Sequence, residues 1–222
     1  LREGFKGVNS VTIDPHKLGY VPYAAGVVLV RDSRDYHLFN PGAPYLEADA
    51  SWPGAQTLEG SRAATGPPSF WLSARTLGLD EQGYGRLLLK TLKQRTQFQK
   101  LVQKDRRFLL LPGCHSNLAL FALSSDENPP KKLSDVDRCV SEIMHRSQRG
   151  DFEYRLSMTS FRLEDHPWLQ RYLEKQHILL DQPELKALRM VFMNPFLETR
   201  ESNVRHIEKL VGELQRALET LK

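Results

Sequence analysis

Asp14, His16 and Lys17, in the segment Asp14-Pro15-His16-Lys17, are the residues of this 222-residue chain best placed for covalent chemistry. A lysine amine can form an imine with an aldehyde. It needs rigid backbone to hold it, and desolvation or nearby cations to weaken its grip on a proton. His16 can donate a hydrogen bond to a phosphate. Taken alone, a lysine just after a strand is most often a solvated surface group. The other chemistry-bearing residues form no constellation. His37, His115, His145, His166, His177 and His206 lack metal-ligand spacing, so no metal site is expected. Asp126-Glu127 and Glu164-Asp165 are adjacent carboxylates in turn-like segments, and Ser157, Thr159 and Ser160 have no evident base partner.

The elements around Lys17 are readable. Ser10-Val11-Thr12-Ile13-Asp14 is a short β-branched strand, and Ala25 to Arg31 is a second, nearly all apolar one. Continuous apolar strands are usually buried on both faces of an α/β sheet. The Pro/Gly/Tyr-rich stretch 15–24 joins them as a loop, the kind of segment in which rigid strands present functional groups. Residues 40–58 read as a long irregular loop, and helical patterns follow at 66–76 and 84–104. Strands are expected at 108–112, 118–123, 152–158 and 188–193. A helix capped by Ser134 would bury Val136, Cys139, Val140, Ile143 and Met144, and a last helix from Thr199 would bury Val204 to Leu218. This order suggests a small α+β domain with an antiparallel sheet packed against helices.

Hydrophobic residues make up 40% of the chain and charged residues 26%, with a formal net charge of +4. These are globular proportions. Without a basic block interleaved with aromatics, no nucleic-acid partner is expected. No apolar run reaches the roughly 18 residues that span a bilayer, so no membrane association is expected either. Cys114 and Cys139 are not paired in a CxxC motif and read as small core residues in a reducing, cytoplasmic compartment. Leu1 is no initiator Met, and the chain reads as the later part of a longer protein.

Ser10 to Lys17, followed by Pro22 and Ala25-Gly26, resembles the pyridoxal-lysine signature of the group II amino-acid decarboxylases, which act on tyrosine, other aromatic amino acids, aspartate or glutamate. That signature is a β-branched strand, Asp or Asn, one residue, His-Lys, then Pro and a small-Gly pair. Glu59-Gly60-Ser61-Arg62 is similar to the family's turn that reaches the cofactor phosphate of a neighbouring subunit. Gly83-Tyr84-Gly85-Arg86 resembles the tyrosine-decarboxylase branch and reads as structural. Leu188 to Pro195 resembles a late strand whose arginine, here Arg189, binds the substrate carboxylate in several members.

The resemblance implies an α/β chain of the PLP-dependent transferase fold type I. Residues 1–105 would close the large cofactor-binding domain and residues 106–222 would form the small C-terminal domain. It implies a lyase of amino-acid metabolism, with pyridoxal 5'-phosphate as a Schiff base on Lys17. Asp14, His16, Gly60 and Ser61 would be cofactor-binding residues and Arg189 a substrate-binding one. The family's ring-pairing aspartate and ring-stacking residue belong to an upstream region, so the expected partners are an N-terminal polypeptide of the same enzyme and a second protomer of a homodimer. By itself the chain is expected to be inactive. The 46–59 segment holds no tyrosine to serve as proton donor. A sphingosine-phosphate-type lyase of the same fold, or a non-catalytic dimerisation or regulatory subunit, are the alternatives.

Overall fold

A computed structural model describes residues 2–39, 63–128, 131–197 and 204–221. The chain divides into two compact units, Leu1–Gly85 and Arg86–Lys222.

The first unit opens on a short helix, α1 (Arg2–Phe5). It continues into a two-stranded antiparallel ribbon of β1 (Ser10–Ile13) and β2 (Val27–Val30), with Ser10 opposite Val30 and Ile13 opposite Val27. Arg31, just after β2, donates to the carbonyls of Phe5, Lys6 and Val8 at 2.6–2.9 Å and ties the ribbon end to the α1 turn. A 3₁₀ helix spans Ser33–Phe39. Helix α2 (Gly66–Leu77) carries two prolines, Pro67 and Pro68, in its first turn, where their missing N–H groups cost nothing. It ends at Gly78, where φ is 83°. Asp80 then accepts the N–H groups of Gln82 and Gly83 and turns the chain into α3 (Tyr84–Val102), which runs on into the second unit.

Burial corrects one expectation. The apolar strand β2 is not covered on both faces: Val28 is 46% and Leu29 50% exposed. Its pattern suits a buried strand, but β1 is its only strand neighbour among the described residues.

The second unit is built on a four-stranded antiparallel sheet in the order β3-β4-β8-β6, namely β3 (Phe108–Leu110), β4 (Leu118–Leu123), β8 (Glu184–Val191) and β6 (Ser157–Arg162). Helix α4 (Leu133–Arg149) buries Val136, Cys139, Val140 and Ile143, and α6 (His206–Glu219) buries Ile207, Leu210, Val211, Leu214 and Leu218. Both sets recur at the three- and four-residue spacing of one helical face. They join Phe98, Phe121, Leu123 and Leu188 in one core, where the rings of Phe98 and Phe121 lie 5.1 Å apart. Between β6 and β8 the chain forms α5 (Pro167–Lys175), and two short strands, β5 (Lys131–Lys132) and β7 (Ile178–Leu179), pair in parallel.

Several boundaries differ from the sequence expectation: β8 runs over Glu184–Val191 rather than 188–193, and β3 ends at Leu110. Phe152 to Leu156 alternate in polarity, yet β6 starts only at Ser157. Arg155 and the Leu156 N–H are bonded instead to the end of α4, at the carbonyls of Ser147 and Gln148 and the Ser147 hydroxyl. Ser134 does not cap α4. Its N–H and hydroxyl both donate to the Asp181 carboxylate, at 3.0 and 2.6 Å, so the cap comes from a distant segment. Val204 precedes α6 and is 39% exposed. No helix among the described residues is long and apolar enough to cross a membrane.

Candidate active site

Lys17 lies in the loop between β1 and β2, and several bonds fix that loop. The Lys17 N–H donates to Asp14 O at 3.0 Å, closing a turn directly after β1. The N–H and the Nδ1 of His16 both converge on Ala25 O, at 3.2 and 2.6 Å, which staples the loop start to the approach of β2. A carbonyl only accepts, so Nδ1 carries the proton. A neutral His16 ring then presents a lone pair at Nε2, and only the imidazolium donates from both nitrogens. The Tyr23 ring packs against this ring at 4.3 Å between centroids, tilted by 31°.

The far side of the loop is held from α2 and α3. The Tyr84 hydroxyl donates to Gly19 O at 2.6 Å and lies 2.6 Å from Ser73 Oγ on α2. A side chain at Gly19 would press its Cβ to 2.5 Å from Pro15 O, so the loop doubles back too tightly for one. At Gly66 a Cβ would overlap the Ala24 carbonyl oxygen, which is why α2 starts on a glycine there. Ser73, Gly19 and Gly66 were not legible as part of the site, because nothing local in their sequence marks them. Tyr84, expected to be structural, is the residue that clamps the loop.

The Lys17 Nζ stands 2.6 Å from Asp14 Oδ2, with the lysine side chain 56% exposed. The bond from Lys17 holds the Asp14 carboxyl below its ordinary value. Within the described residues the amine thus faces a carboxylate. The structure brings Asp14, His16 and Lys17 together on one loop. Gly60 and Ser61, and the 46–59 segment, lie outside the described residues. Arg189 is exposed on β8, between β4 and β6, and is not on an edge strand. Strand alternation puts it on the face opposite Lys186, whose amine reaches Ser141 of α4. Among the described residues no group of three or more His, Cys, Asp or Glu side chains could hold a metal ion.

No family model matches the chain. An L-tyrosine decarboxylase of Enterococcus faecium is 27% identical over 218 residues, covering 88% of this chain and 36% of that protein. A probable L-tyrosine/L-aspartate decarboxylase of Methanococcus maripaludis is 34% identical over 146 residues, covering 62% of this chain and 35% of its own length. The chain thus spans about a third of the length of these curated relatives. Among solved structures, Oryza sativa TDC with PLP and tryptamine superposes with a TM-score of 0.68 at 15% identity, over 99% of this chain and 38% of that one. Mouse CSAD in apo form superposes with a TM-score of 0.62 at 18% identity, over 97% and 41%. At such identities these superpositions carry the fold alone. The chain is therefore similar in sequence to part of the L-tyrosine and L-aspartate decarboxylases, and it shares the fold of the pyridoxal-phosphate-dependent decarboxylases of fold type I.

Proposed function

We propose that this chain is the C-terminal portion of a pyridoxal-phosphate-dependent decarboxylase that converts an L-amino acid to its amine and CO₂. The observation that carries the reading is the clamped loop. Lys17 presents a primary amine directly after a strand, beside Asp14 and His16, on backbone held at Ala25 O and Gly19 O. That donor set suits a group bearing an aldehyde and a phosphate. When bound, pyridoxal phosphate supplies an electron sink for the bond broken at the substrate α-carbon.

In this reading Lys17 would hold the cofactor through its amine, and Asp14 orients that amine. His16 would donate to the phosphate from Nε2 as the imidazolium, and Gly60 and Ser61 of the second protomer would add backbone and hydroxyl donors. Arg189 would offer a planar fork to the substrate carboxylate. Residues 1–105 would complete the large domain and residues 106–222 form the small one. The partners are an N-terminal polypeptide of the same enzyme and a second protomer, in the cytoplasm. The exposed apolar strand β2 and the exposed Trp71, Leu72 and Leu79 support a covering polypeptide.

The deciding experiment is borohydride reduction of the full-length protein with pyridoxal phosphate, followed by peptide mass spectrometry. The expected result is a reduced pyridoxyl adduct on Lys17, lost in Lys17→Ala, with amine release from L-tyrosine or L-aspartate. No adduct on Lys17 in the full-length protein would refute the proposal.

A further inference from the structure

The second unit holds a cleft of about 440 Å³, bounded by the chain from Asp105 into β3, by β5 and by the end of α5. Part of its lining is apolar, from the partly exposed Leu109, Leu110 and Tyr172 over the core residues Phe108, Val136 and Ile178. The rest is charged. Arg107, only 9% exposed, spends its guanidinium on Asp105, with bonds of 2.7–3.2 Å. Gln215 bonds the same carboxylate at 3.0 Å, so that pair is self-neutralised.

Three further cations, Arg106, Lys131 and Lys175, line the same space. Among the described residues none of them has a carboxylate within ion-pair distance. Lys131 is half-buried, and its amine donates to Arg106 O at 3.0 Å. Burial lowers its pKa against the raising pull of Asp126, Asp105 and Glu127, which act from beyond ion-pair distance. The backbone fixes Lys131 there. His177 holds a left-handed φ of 57°, and its carbonyl accepts the Lys131 N–H at 3.2 Å. Tyr172 closes the wall by donating to Leu110 O at 2.6 Å.

A half-buried cation with no ion-pair partner is costly, and an anion brought to it recovers that cost. Against Arg106, Lys131 and Lys175 the cleft sets one exposed rim carboxylate, Glu127, itself 3.8 Å from Arg107. The lining residues carry an excess of about two positive charges, with Asp126 outside the lining acting on Lys131 from beyond ion-pair distance. A carboxylate carries one negative charge, whereas a phosphate monoester carries about 1.5–2 near neutral pH. We propose that this cleft binds a small phosphate monoester with an apolar body, its phosphate on Lys131 and its body against the partly exposed Leu109 and Leu110 of β3. The site lies wholly within the second unit, and neither Lys17 nor its loop contributes to it.

The test is titration of phenyl phosphate into the full-length protein, read by calorimetry and by hydrogen exchange at peptides covering 131–132 and 175–178. Benzoate and inorganic phosphate serve as comparison arms. The expected result is saturable binding with protection at those peptides. Benzoate and inorganic phosphate should each bind at least several-fold more weakly, and Lys131→Met, which keeps the alkyl stem, should weaken phenyl phosphate about tenfold. If Lys131→Met alters the fold, Lys175→Met is the second variant, with a loss in the same direction. Absence of saturable binding, protection confined to other segments, equal binding of benzoate, or unchanged affinity in the folded variant would each overturn the proposal.

Discussion

The hydroxyl of Tyr84 donates to the carbonyl of Gly19 at 2.6 Å across 65 positions of sequence. A tyrosine hydroxyl has one proton, so the Ser73 hydroxyl, also 2.6 Å away, donates its own to the tyrosine oxygen. The result is a relay from α2 through α3 to the backbone two residues beyond Lys17. Tyr84 is only 7% exposed, so water does not compete freely for the Gly19 carbonyl.

Tyr84→Phe removes the hydroxyl and leaves the ring. A part-buried carbonyl that loses its donor costs about 1–3 kcal/mol. The expected outcome is faster hydrogen exchange at residues 15–20, an unfolding free energy lowered by that order, and little change in peptides of the second unit. Unchanged exchange in the loop would show that Tyr84 does not hold it.

Glycine substitutions probe the same clamp by crowding. A Cβ at Gly19 meets Pro15 O at 2.5 Å and one at Gly66 overlaps Ala24 O, whereas one at Gly26 meets nothing within 4 Å. Gly19→Ala and Gly66→Ala should each destabilise by about 1–3 kcal/mol, the usual cost of overpacking. Gly26→Ala should be close to neutral. Urea midpoints of the three variants check the ranking, and a Gly26→Ala as damaging as the other two would contradict it.

The legible and illegible parts of the fold divide by distance along the chain. Asp14, His16 and Lys17 were readable because the strand, the turn and the three side chains fall within a few residues. The apolar faces of α4 and α6 were readable because their periodicity is local. Asp181 capping α4 was not, since its partner Ser134 lies 47 positions away and is itself a good N-cap type. Phe152 to Leu156 mimicked a strand because alternation looks the same whether a ladder or a helix end satisfies the backbone. Strands β5 and β7, at two residues each, are too short to show any period. Cover for β2 cannot be read from its own residues, because an apolar strand records that something should bury it but not what.

The two cysteines should differ in reactivity. Cys139 lies in the core face of α4, and burial pushes its thiol up to about 11. Cys114 is only partly buried. Alkylation depends on the thiolate and on access. At pH 8, iodoacetamide should label Cys114 in the folded protein and reach Cys139 only on unfolding, as read by peptide mass spectrometry. Equal labelling of both in the native protein would contradict the packing of Cys139.

Asp105 should leave a signature in acid. Bonds from Arg107, chiefly, and from Gln215 lower its carboxyl from 3.8 to about 2 in the folded chain. A group depressed on folding stabilises the protein above its unfolded value and loses that contribution as pH falls through the folded value. The window is therefore from about pH 4 down to about pH 2. A shift of this size is worth about 2 kcal/mol at full effect, of which roughly 1.5 kcal/mol should be gone by pH 2.5. Asp105→Asn cannot titrate there. It should be less stable than the wild type at pH 6, because buried Arg107 is left with only the exposed Glu127 at 3.8 Å, and should lose less on going to pH 2.5. Urea midpoints of both proteins at the two pH values measure the difference. Parallel losses would mean that Asp105 is not held by Arg107 in solution.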